Sequence, residues 1–569
     1  MARRRISVSK NSASTDRLVP PPGGAVVRMY RIGHGDCFLI ALAGEKDDAP
    51  AYILIDCGYK PGSTKMIRKG VPNSDGSVNL LPAADQPTVK EIISNIIETT
   101  GGRVDVAIVT HEHQDHVNAI TEANFGDSED GLQIGETWFA WTEDPEDDVA
   151  NDLRRRFKDN LLGLIGARQR LNQLALGVPA GEGGALVERV RLIDDMLAFE
   201  LGGEEEEPFA DAGVGGAIGA FGMSMAFGAA AFAASKNKTS MKLFRDKARN
   251  GVRYIRPHEA IINVPGARSA RAFSLGPPRD PTLLATLDPQ GEEEFHFGAR
   301  LRLAADTSAP TSADIAHPRR AEGAGSPFAA KYRVPLSQAA TDPRTGSFFQ
   351  RVYGTEAAVA NVPSTAPGEP YHVLDNAKFR RIDDDWLDTA ERIALDMNDQ
   401  TNNASLVLAF ELAPGGKVLL FAADAQRGNW LSWGDQPFRD GENEITAQDL
   451  LARTVLYKCG HHGSHNATLN GAVDDPKPNL SWMGKGEHTR EFTALITAVR
   501  AWAETQKGWD HPLKAIKDAL LKKAAGRVFQ TDTDMSQMIK PDGASDQEWA
   551  SFMTRHHGQR LYFDICISP

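Results

Sequence analysis

Short apolar runs separated by glycine-rich breaks set the pattern of the first hundred residues. The stretch "AVVRMYRIGHGDCFLIALAG", 25–44, carries β-branched and aromatic residues on either side of such a break, and "AYILIDCGYKPG", 51–62, is a further apolar run closed by Gly and Pro. Run lengths and bounding turn residues predict two strands joined as a hairpin. In "PTVKEIISNIIETTGGRVDVAIVT", 87–110, isoleucines recur at three- and four-residue spacing, a Gly-Gly pair stops the helix, and a buried strand ends at Thr110. The order strand, helix, strand then opens into a polar loop. Layered α/β folds place their chemistry in loops at such strand ends.

Between 127 and 250 the pattern changes to charged helical segments such as "NDLRRRFKDNLLGLIGARQRLNQLALG", an acidic run at 204–207, and the Gly/Ala-rich stretch "AGVGGAIGAFGMSMAFGAAAFAAS". This reads as an insertion. Strand-like sequence returns at 250–280, gives way to a second insertion rich in Pro, Ala and Asp, and resumes with "NNASLVLAFELAPGGKVLLFAADA", two apolar strands around a Pro-Gly-Gly turn. The division is therefore a disordered tail at 1–24, a first core half at 25–126, a helical insertion at 127–250, core strands at 251–285, a second insertion at 286–396 and a second core half at 397–569. There is no internal repeat of fixed period.

The uncharged run 212–235 is long enough to cross a bilayer and contains Gly215 and Gly219 in G-x-x-x-G spacing. Its Ala and Gly residues contribute little transfer energy, which favours a buried or flexible helical hairpin over membrane contact. A chain of 569 residues exceeds one ordinary domain, as a core with large insertions would. With 41% hydrophobic and 24% charged residues it has a soluble globular composition. A formal net charge of −13 disfavours extended duplex nucleic acid as a partner and leaves room only for a local basic groove. Cys37, Cys57, Cys459 and Cys566 form no C-x-x-C pair, so neither a zinc ribbon nor a disulfide framework is signalled and a reducing, cytoplasmic setting fits best. The basic start has no apolar segment of the secretory kind.

The polar loop after Thr110 changes the picture most. "VTHEHQDHVNA", 109–119, places three histidines and an aspartate within six positions. Histidine nitrogen and aspartate oxygen are the donors that zinc takes at ~2.0–2.2 Å. In an extended exit from a strand His111 and His113 point the same way and can pinch one ion, while Asp115 and His116, past the turn, can face a second. Chance assembly of this cluster is on the order of one in a thousand for a chain of this composition.

H-x-H-x-D-H after an apolar strand resembles the metallo-β-lactamase superfamily, and four further segments narrow the resemblance to the branch found in the DNA-uptake competence protein ComEC. "IGHGDCFLI" and "LIDCG" resemble that branch's V-G-Q-G-D-x-x-L-I and L-I-D-x-G; "VLLFAADAQ" has Asp424 where the branch has its G-D-A aspartate, with Ala423 replacing Gly; "VLYKCGHHGSHNAT" matches its H-H-G-S at His461 to Ser464. "GWDHPLKAIKDALLKKAAGRVFQTDTD" is similar to its closing segment, so the resemblance covers most of the chain outside the insertions.

The resemblance implies an α/β fold, a four-layer αββα sandwich with two large insertions, and metals at one edge of its sheets. His111 and His113 would hold the first metal, Asp115 and His116 the second; Asp424 would bridge, and His461 or His462 would complete the second site, His462 being preferred because His-Gly is how related last-ligand loops read. Asn402 or Asn403 stands where many members place a further histidine. The donor set suits one or two Zn²⁺ ions, with Mn²⁺ as the alternative. The implied chemistry is hydrolysis by a metal-activated water, Asp115 accepting its proton and His461, His465 or Ser464 donating to the leaving group.

Phosphodiester bonds, in a short or single-stranded substrate, are the favoured target. The alternatives are a carboxylic ester, lactone or amide hydrolase, or an interaction or membrane-associated effector module with a structural metal core. An intact set of open-site ligands speaks against the last. Of the remaining candidates, Asp36 and Asp56 orient ligands or cap turns rather than bind metal; His34, His465 and His511 stay open as pocket residues; His556 and His557 read as a surface repeat of H-H-G without a role; Gly276 to Asp280 read as a turn.

Overall fold

The computed structural model describes residues 17–46, 49–68, 79–126, 131–176, 184–202, 235–295, 397, 399–533, 538, 540 and 545–569. Strand β1 (Ala25–Tyr30) pairs antiparallel with β2 (Cys37–Lys46), and β2 pairs antiparallel with β3 (Ala49–Cys57). The expected hairpin is thus a three-stranded meander. Helix α1 (Val89–Thr100) starts at a reciprocal Thr88–Glu91 capping box, buries Ile92, Ile93 and Ile96 along one face, and stops where Gly101 turns left-handed at φ 64°. It leads to β4 (Arg103–Val109), parallel to β3. Parallel pairing continues through β5 (Gln133–Ala140) to β6 (Val252–Ile255), and β17 (Tyr562–Ile567) with β16 (His556–Gly558) closes the other side of an eight-stranded sheet.

The second sheet has seven strands: β7 (Ile262–Asn263), β8 (Arg271–Gly276), β9 (Val407–Glu411), β10 (Val418–Phe421), β13 (Thr454–Lys458), β14 (Thr493–Ile496) and β15 (Val528–Gln530), in the spatial order β15-β14-β13-β10-β9-β8-β7. The strands β9 and β10 form the hairpin that the Pro-Gly-Gly turn predicts. A separate ribbon pairs β11 (Phe438–Asp440) with β12 (Asn443–Ile445). The protein is mixed α/β with two large mixed sheets.

Period-two alternation sorts the side chains. From β2, Phe38, Ile40 and Leu42 join a cluster that also holds Leu408, Phe410, Leu419 and Phe421 of the other sheet, with Phe38 meeting Phe421 edge-to-face at 5.4 Å. Each such buried side chain contributes roughly 1.5–3 kcal/mol by leaving water. The alternate residues Cys37, Leu39 and Ala41 pack instead with α1 and with Met241 and Phe244. In the second sheet Val407 and Ala409 likewise turn from the shared core toward Trp430, Trp433, Leu450, Leu451, Ile516 and Leu520 on flanking helices.

Several boundaries differ from those read in the sequence. β5 lies inside 127–250 yet is a member of the eight-stranded sheet, so the insertion starts after Ala140; acidic and glycine residues around a short apolar core hid this strand. Helix α2 (Gln114–Val117) lies between β4 and β5; α3 (Asp148–Leu176) and α4 (Gly184–Leu201) follow β5, and α5 (Lys236–Lys247) returns to the sheet by burying Met241 and Phe244. The tail is anchored before residue 24: Leu18 is buried and its carbonyl accepts a hydrogen bond from the Tyr52 hydroxyl at 3.3 Å. Of the second insertion the described part is 286–295, where Glu293 binds Arg427 at 2.5 Å and Lys477 at 2.7 Å. The Gly/Ala run 212–235 lies outside the described residues except for Ser235. Among the described residues no helix is long and apolar enough to cross a membrane.

Candidate metal centre

Carboxyl ends of parallel strands from both sheets meet at one rim. Asp56 is the penultimate residue of β3, His111 and His113 follow β4, Asp424 follows β10, His462 follows β13, and Thr497 follows β14. Asp36 and Asn402 precede β2 and β9, which run antiparallel to β3 and β10, so they reach the same rim from the opposite direction. Asp56, Ala423, His461 and His462 all adopt positive φ, at 52°, 46°, 39° and 52°. That conformation costs a non-glycine residue about 1–3 kcal/mol, and its concentration here marks a geometry imposed by the surroundings. At Ala423 it accounts for the glycine of the resembling motif.

Asp36, His116, Asp424 and His462 are all buried and bring one ligand atom each within 4.8 Å of one another, a cluster able to hold a metal ion. Oδ2 of Asp424 lies 3.2 Å from Nε2 of His116 and 3.3 Å from Nε2 of His462, whose Nε2 is 3.0 Å from Oδ2 of Asp115. Ligands at ~2.0–2.2 Å around a tetrahedral ion stand roughly 3.3–3.6 Å apart, close to this spacing. Among the described residues, buried Nε2 of His116, Oδ1 of Asp115 and Oδ1 of Asp36 make no hydrogen bond. Orphaned buried donors and acceptors are expensive unless something else satisfies them, and a cation does.

The two histidines of the cluster, and His111 beside it, are each held by the outer nitrogen. Nδ1 of His116 meets Oδ2 of Asp56 at 2.8 Å, and the same aspartate takes the backbone N–H and hydroxyl of Thr110 at 2.8 and 2.7 Å. Nδ1 of His462 faces the Thr497 carbonyl at 3.0 Å, and Nδ1 of His111 faces the hydroxyls of Thr110 and Ser405 at 3.1 and 3.2 Å. This leaves Nε2 of all three for the centre. An outer acceptor that fixes tautomer and ring orientation is the usual support of a metal-binding histidine. Nε2 of His111 stands 3.1 Å from Nδ1 of His113, which meets Oδ1 of Asn402 at 2.7 Å.

A buried ammonium balances the acids. Nζ of Lys458 lies 2.6 Å from Oδ2 of Asp36 and 3.3 Å from Oδ1 of Asp424. Burial pulls the Lys458 pKa down, but Asp36 and Asp424 outweigh it and hold it above its ordinary value. Burial likewise opposes the charged form of His462, yet Asp424 and Asp115 push it up to about 9; His116 is raised in the same way by Asp424, Asp36 and Asp56. The carboxyls of Asp424 and Asp115 are held well below the carboxylate range: burial raises them, and His462, His116 and Lys458 for Asp424, Lys60 and His462 for Asp115, outweigh it. By contrast burial pulls His461 down to about 4.

The sequence-derived candidates separate accordingly. His111, His113, Asp115, His116, Asp424 and His462 converge at the rim, and between the two adjacent histidines it is His462 that faces the carboxylates. His461 is half-buried; its Nδ1 meets Asn466 at 3.1 Å and Ser464 at 2.9 Å, and its Nε2 lies 3.2 Å from the Asn402 amide. Ser464 is buried, its hydroxyl against the His461 ring. His465 pairs with Asp288 at 2.8 Å on the surface. Asn403 serves the frame, donating to the carbonyls of Leu283 and Leu284 and accepting from the backbone of Gln426 and Asn429, so Asn402 is the residue beside the histidines. The His34 ring lies tilted 4.5 Å from that of His462 and stacks on that of His511 at 5.5 Å.

Asp56 orients His116 as expected, whereas Asp36 belongs to the ligand cluster itself. Lys458 was missed: an isolated lysine before H-H-G-S carries no motif. Gly35 and Gly58 are demanded by close approach. A Cβ on Gly58 would stand 2.4 Å from the His116 nitrogen, and one on Gly35 2.6 Å from the Asp115 carbonyl oxygen. His556 is buried against Phe529 and Phe552, away from this rim, so it is not the surface residue expected; His557 is exposed. No family model, curated protein or solved structure matches the chain.

Proposed function

We propose that the chain is a metal-dependent hydrolase of the metallo-β-lactamase type, its two sheets and flanking helices forming a four-layer αββα sandwich, and that it cleaves phosphodiester bonds. The observation that carries the reading is the donor set: His116 and His462, each gripped by its outer nitrogen, turn the other nitrogen toward Asp424, beside Asp36 and Asp115, each of which keeps one buried oxygen without a hydrogen bond among the described residues. Zn²⁺ or Mn²⁺ suits such mixed nitrogen and oxygen donors. His116, Asp424, His462 and Asp115 would hold one ion, with Asp36 alongside, and His111 and His113 a second.

A bound divalent cation supplies Lewis acidity and lowers the pKa of a water toward ~7. The residues do the rest. Asp115, kept ionised, has Oδ1 available to accept a proton from that water. His461 is neutral at pH 7 and half-exposed at the mouth, so it binds and orients substrate through hydrogen bonding rather than serving as the proton donor an imidazolium would be. Lys458 offsets the acidic charge around the centre, which favours an anionic substrate such as a phosphodiester.

Metal content and hydrolysis of bis-p-nitrophenyl phosphate, measured on the parent, Asp424→Ala, His462→Ala and His461→Ala, test this. The expected result is metal-dependent turnover in the parent, loss of metal and at least a ~100-fold loss of turnover in the first two variants, and retained metal with impaired turnover in His461→Ala. Metal with turnover of carboxylic esters alone would move the substrate class. A metal-free, metal-indifferent protein would overturn the reading.

A further inference from the structure

Nε2 of His113 faces the helical insertion. Helix α4 stops where Gly202 turns left-handed at φ 78°, and a Cβ there would stand 2.4 Å from Oδ1 of Asn237. Nδ2 of Asn237, at the start of α5, donates to the carbonyls of Phe199 at 2.9 Å and Glu200 at 3.2 Å. The last turn of α4 is therefore fixed in place over the rim. The Phe199 ring packs 4.3 Å from that of His113, and the Lys60 ammonium sits over the Phe199 ring, 2.8 Å from its centre. A second tie joins Lys238 of α5 to Glu112 at 2.9 Å, one residue before His113.

Glu200 is 4% exposed, and Oε1 lies 3.4 Å from Nε2 of His113. Among the described residues neither carboxylate oxygen, nor that nitrogen, makes a hydrogen bond. A buried carboxylate without a partner is costly, and this one is aimed at a buried imidazole from a few tenths of an ångström beyond hydrogen-bond range. On the other edge of the same ring Nδ1 faces Nε2 of His111 at 3.1 Å and Oδ1 of Asn402 at 2.7 Å.

We propose that Glu200 is a positioning residue of the metal centre: its carboxylate accepts a hydrogen bond from Nε2–H of His113, leaving Nδ1 to bind a cation together with Nε2 of His111 and Oδ1 of Asn402. This rests on the metal-centre reading above and extends it. Two imidazoles and one amide oxygen make a neutral, comparatively weak donor set, suited to Zn²⁺ or Mn²⁺. A carboxylate behind one imidazole raises its basicity and locks its orientation, so occupancy of this position depends on the insertion. The arrangement at His113 repeats that of Asp56 behind His116, except that the carboxylate comes from a helix instead of a strand end.

The test is titration of the metal-stripped full chain with Zn²⁺ by calorimetry and with Mn²⁺ by spin resonance of the free ion, for the parent, Glu200→Ala, Glu200→Gln and Asp424→Ala. The parent is expected to bind two equivalents; Glu200→Ala weakens one of them about 10–100-fold and leaves the other unchanged, and Glu200→Gln, which keeps an acceptor oxygen, loses less. Asp424→Ala is expected to lose the equivalent that Glu200→Ala keeps. Should Glu200→Ala unfold, Glu200→Gln decides by the same criterion. Two equivalents bound as in the parent by every folded Glu200 variant would overturn the role of Glu200 and leave the metal reading standing. A parent that binds a single equivalent, unmoved by Glu200 substitution, would overturn it equally, and a parent that binds none would overturn both.

Discussion

Nε2 of His462 lies 3.0 Å from Oδ2 of Asp115, so a residue following β13 of one sheet meets the first helical turn after β4 of the other. Asp424 faces the same imidazole at 3.3 Å and has Lys458 at 3.3 Å on its other oxygen. Without metal, Asp424 is the shared counterion of His116, His462 and Lys458. Replacing it by Ala leaves buried cations uncompensated, a change worth about 3 kcal/mol, while Asp424→Asn keeps the shape and loses the charge. Both variants are expected to lose metal, and Asp424→Ala to unfold at a clearly lower urea concentration than the metal-stripped parent. An unchanged midpoint would show that the cations are not held by this carboxylate.

Lys458 occupies the position of a permanent positive charge between Asp36 and Asp424. In Lys458→Met those carboxylates lose their partner, and the metal-stripped protein melts at a lower temperature. A divalent cation then replaces part of the missing charge, so added Zn²⁺ or Mn²⁺ raises the melting temperature of the variant by more than it raises that of the parent, because a ligand bound only by the folded state stabilises it. Equal increments, measured by scanning fluorimetry across a metal titration, would separate Lys458 from cation binding.

What the sequence revealed follows from how locally each feature is encoded. The isoleucine face of α1, its Gly-Gly stop and the Pro-Gly-Gly hairpin at β9 and β10 are local and legible. So is the grouping of His111, His113, Asp115 and His116, four residues within six. β5 was lost because only Trp138, Phe139 and the residues beside them carry its pattern among acids and glycines. Glu200 and Lys458 matter through partners 87 and 34 positions away along the chain, at His113 and Asp424, and no periodicity records such a meeting. The choice of Asn402 over Asn403 turned on side-chain direction, which adjacent identical residues conceal.

Backbone contact, not side-chain chemistry, ties the segments around Asp36 and Gly58 to the H-x-H-x-D-H loop. The Asp36 N–H donates to the Asp115 carbonyl at 3.0 Å, the Gly58 N–H to the Asp36 carbonyl at 3.0 Å, and a Cβ on Gly58 would stand 2.4 Å from the His116 nitrogen and 2.5 Å from the Asp115 carbonyl carbon. Gly58→Ala therefore displaces α2 and with it two ligands. The expected outcome is at least a tenfold loss of metal affinity, together with a destabilisation of about 1–3 kcal/mol from overpacking. Parent-like affinity in a calorimetric titration would mean that the rim can shift as a unit.

His556 offers a pH test away from the metal centre. Its ring packs 4.3 Å from that of Phe552 and 5.8 Å from that of Phe529, and its Nδ1 donates to the Phe552 carbonyl at 2.6 Å. Burial pulls its pKa down to about 4 despite that hydrogen bond, with Arg555 adding to the effect. Between pH 6.5 and about 4 the unfolded chain binds a proton that the folded chain refuses, so stability falls as pH falls through this window and is unaffected above it. The full shift corresponds to about 3 kcal/mol. In His556→Leu this contribution is absent, and groups elsewhere cancel when the two proteins are compared. The difference in unfolding free energy between pH 7.5 and pH 4.5 is therefore expected to be smaller in the variant by about 2–3 kcal/mol. Parallel pH profiles for parent and variant, read from urea midpoints, would show that His556 takes up its proton without leaving the folded state.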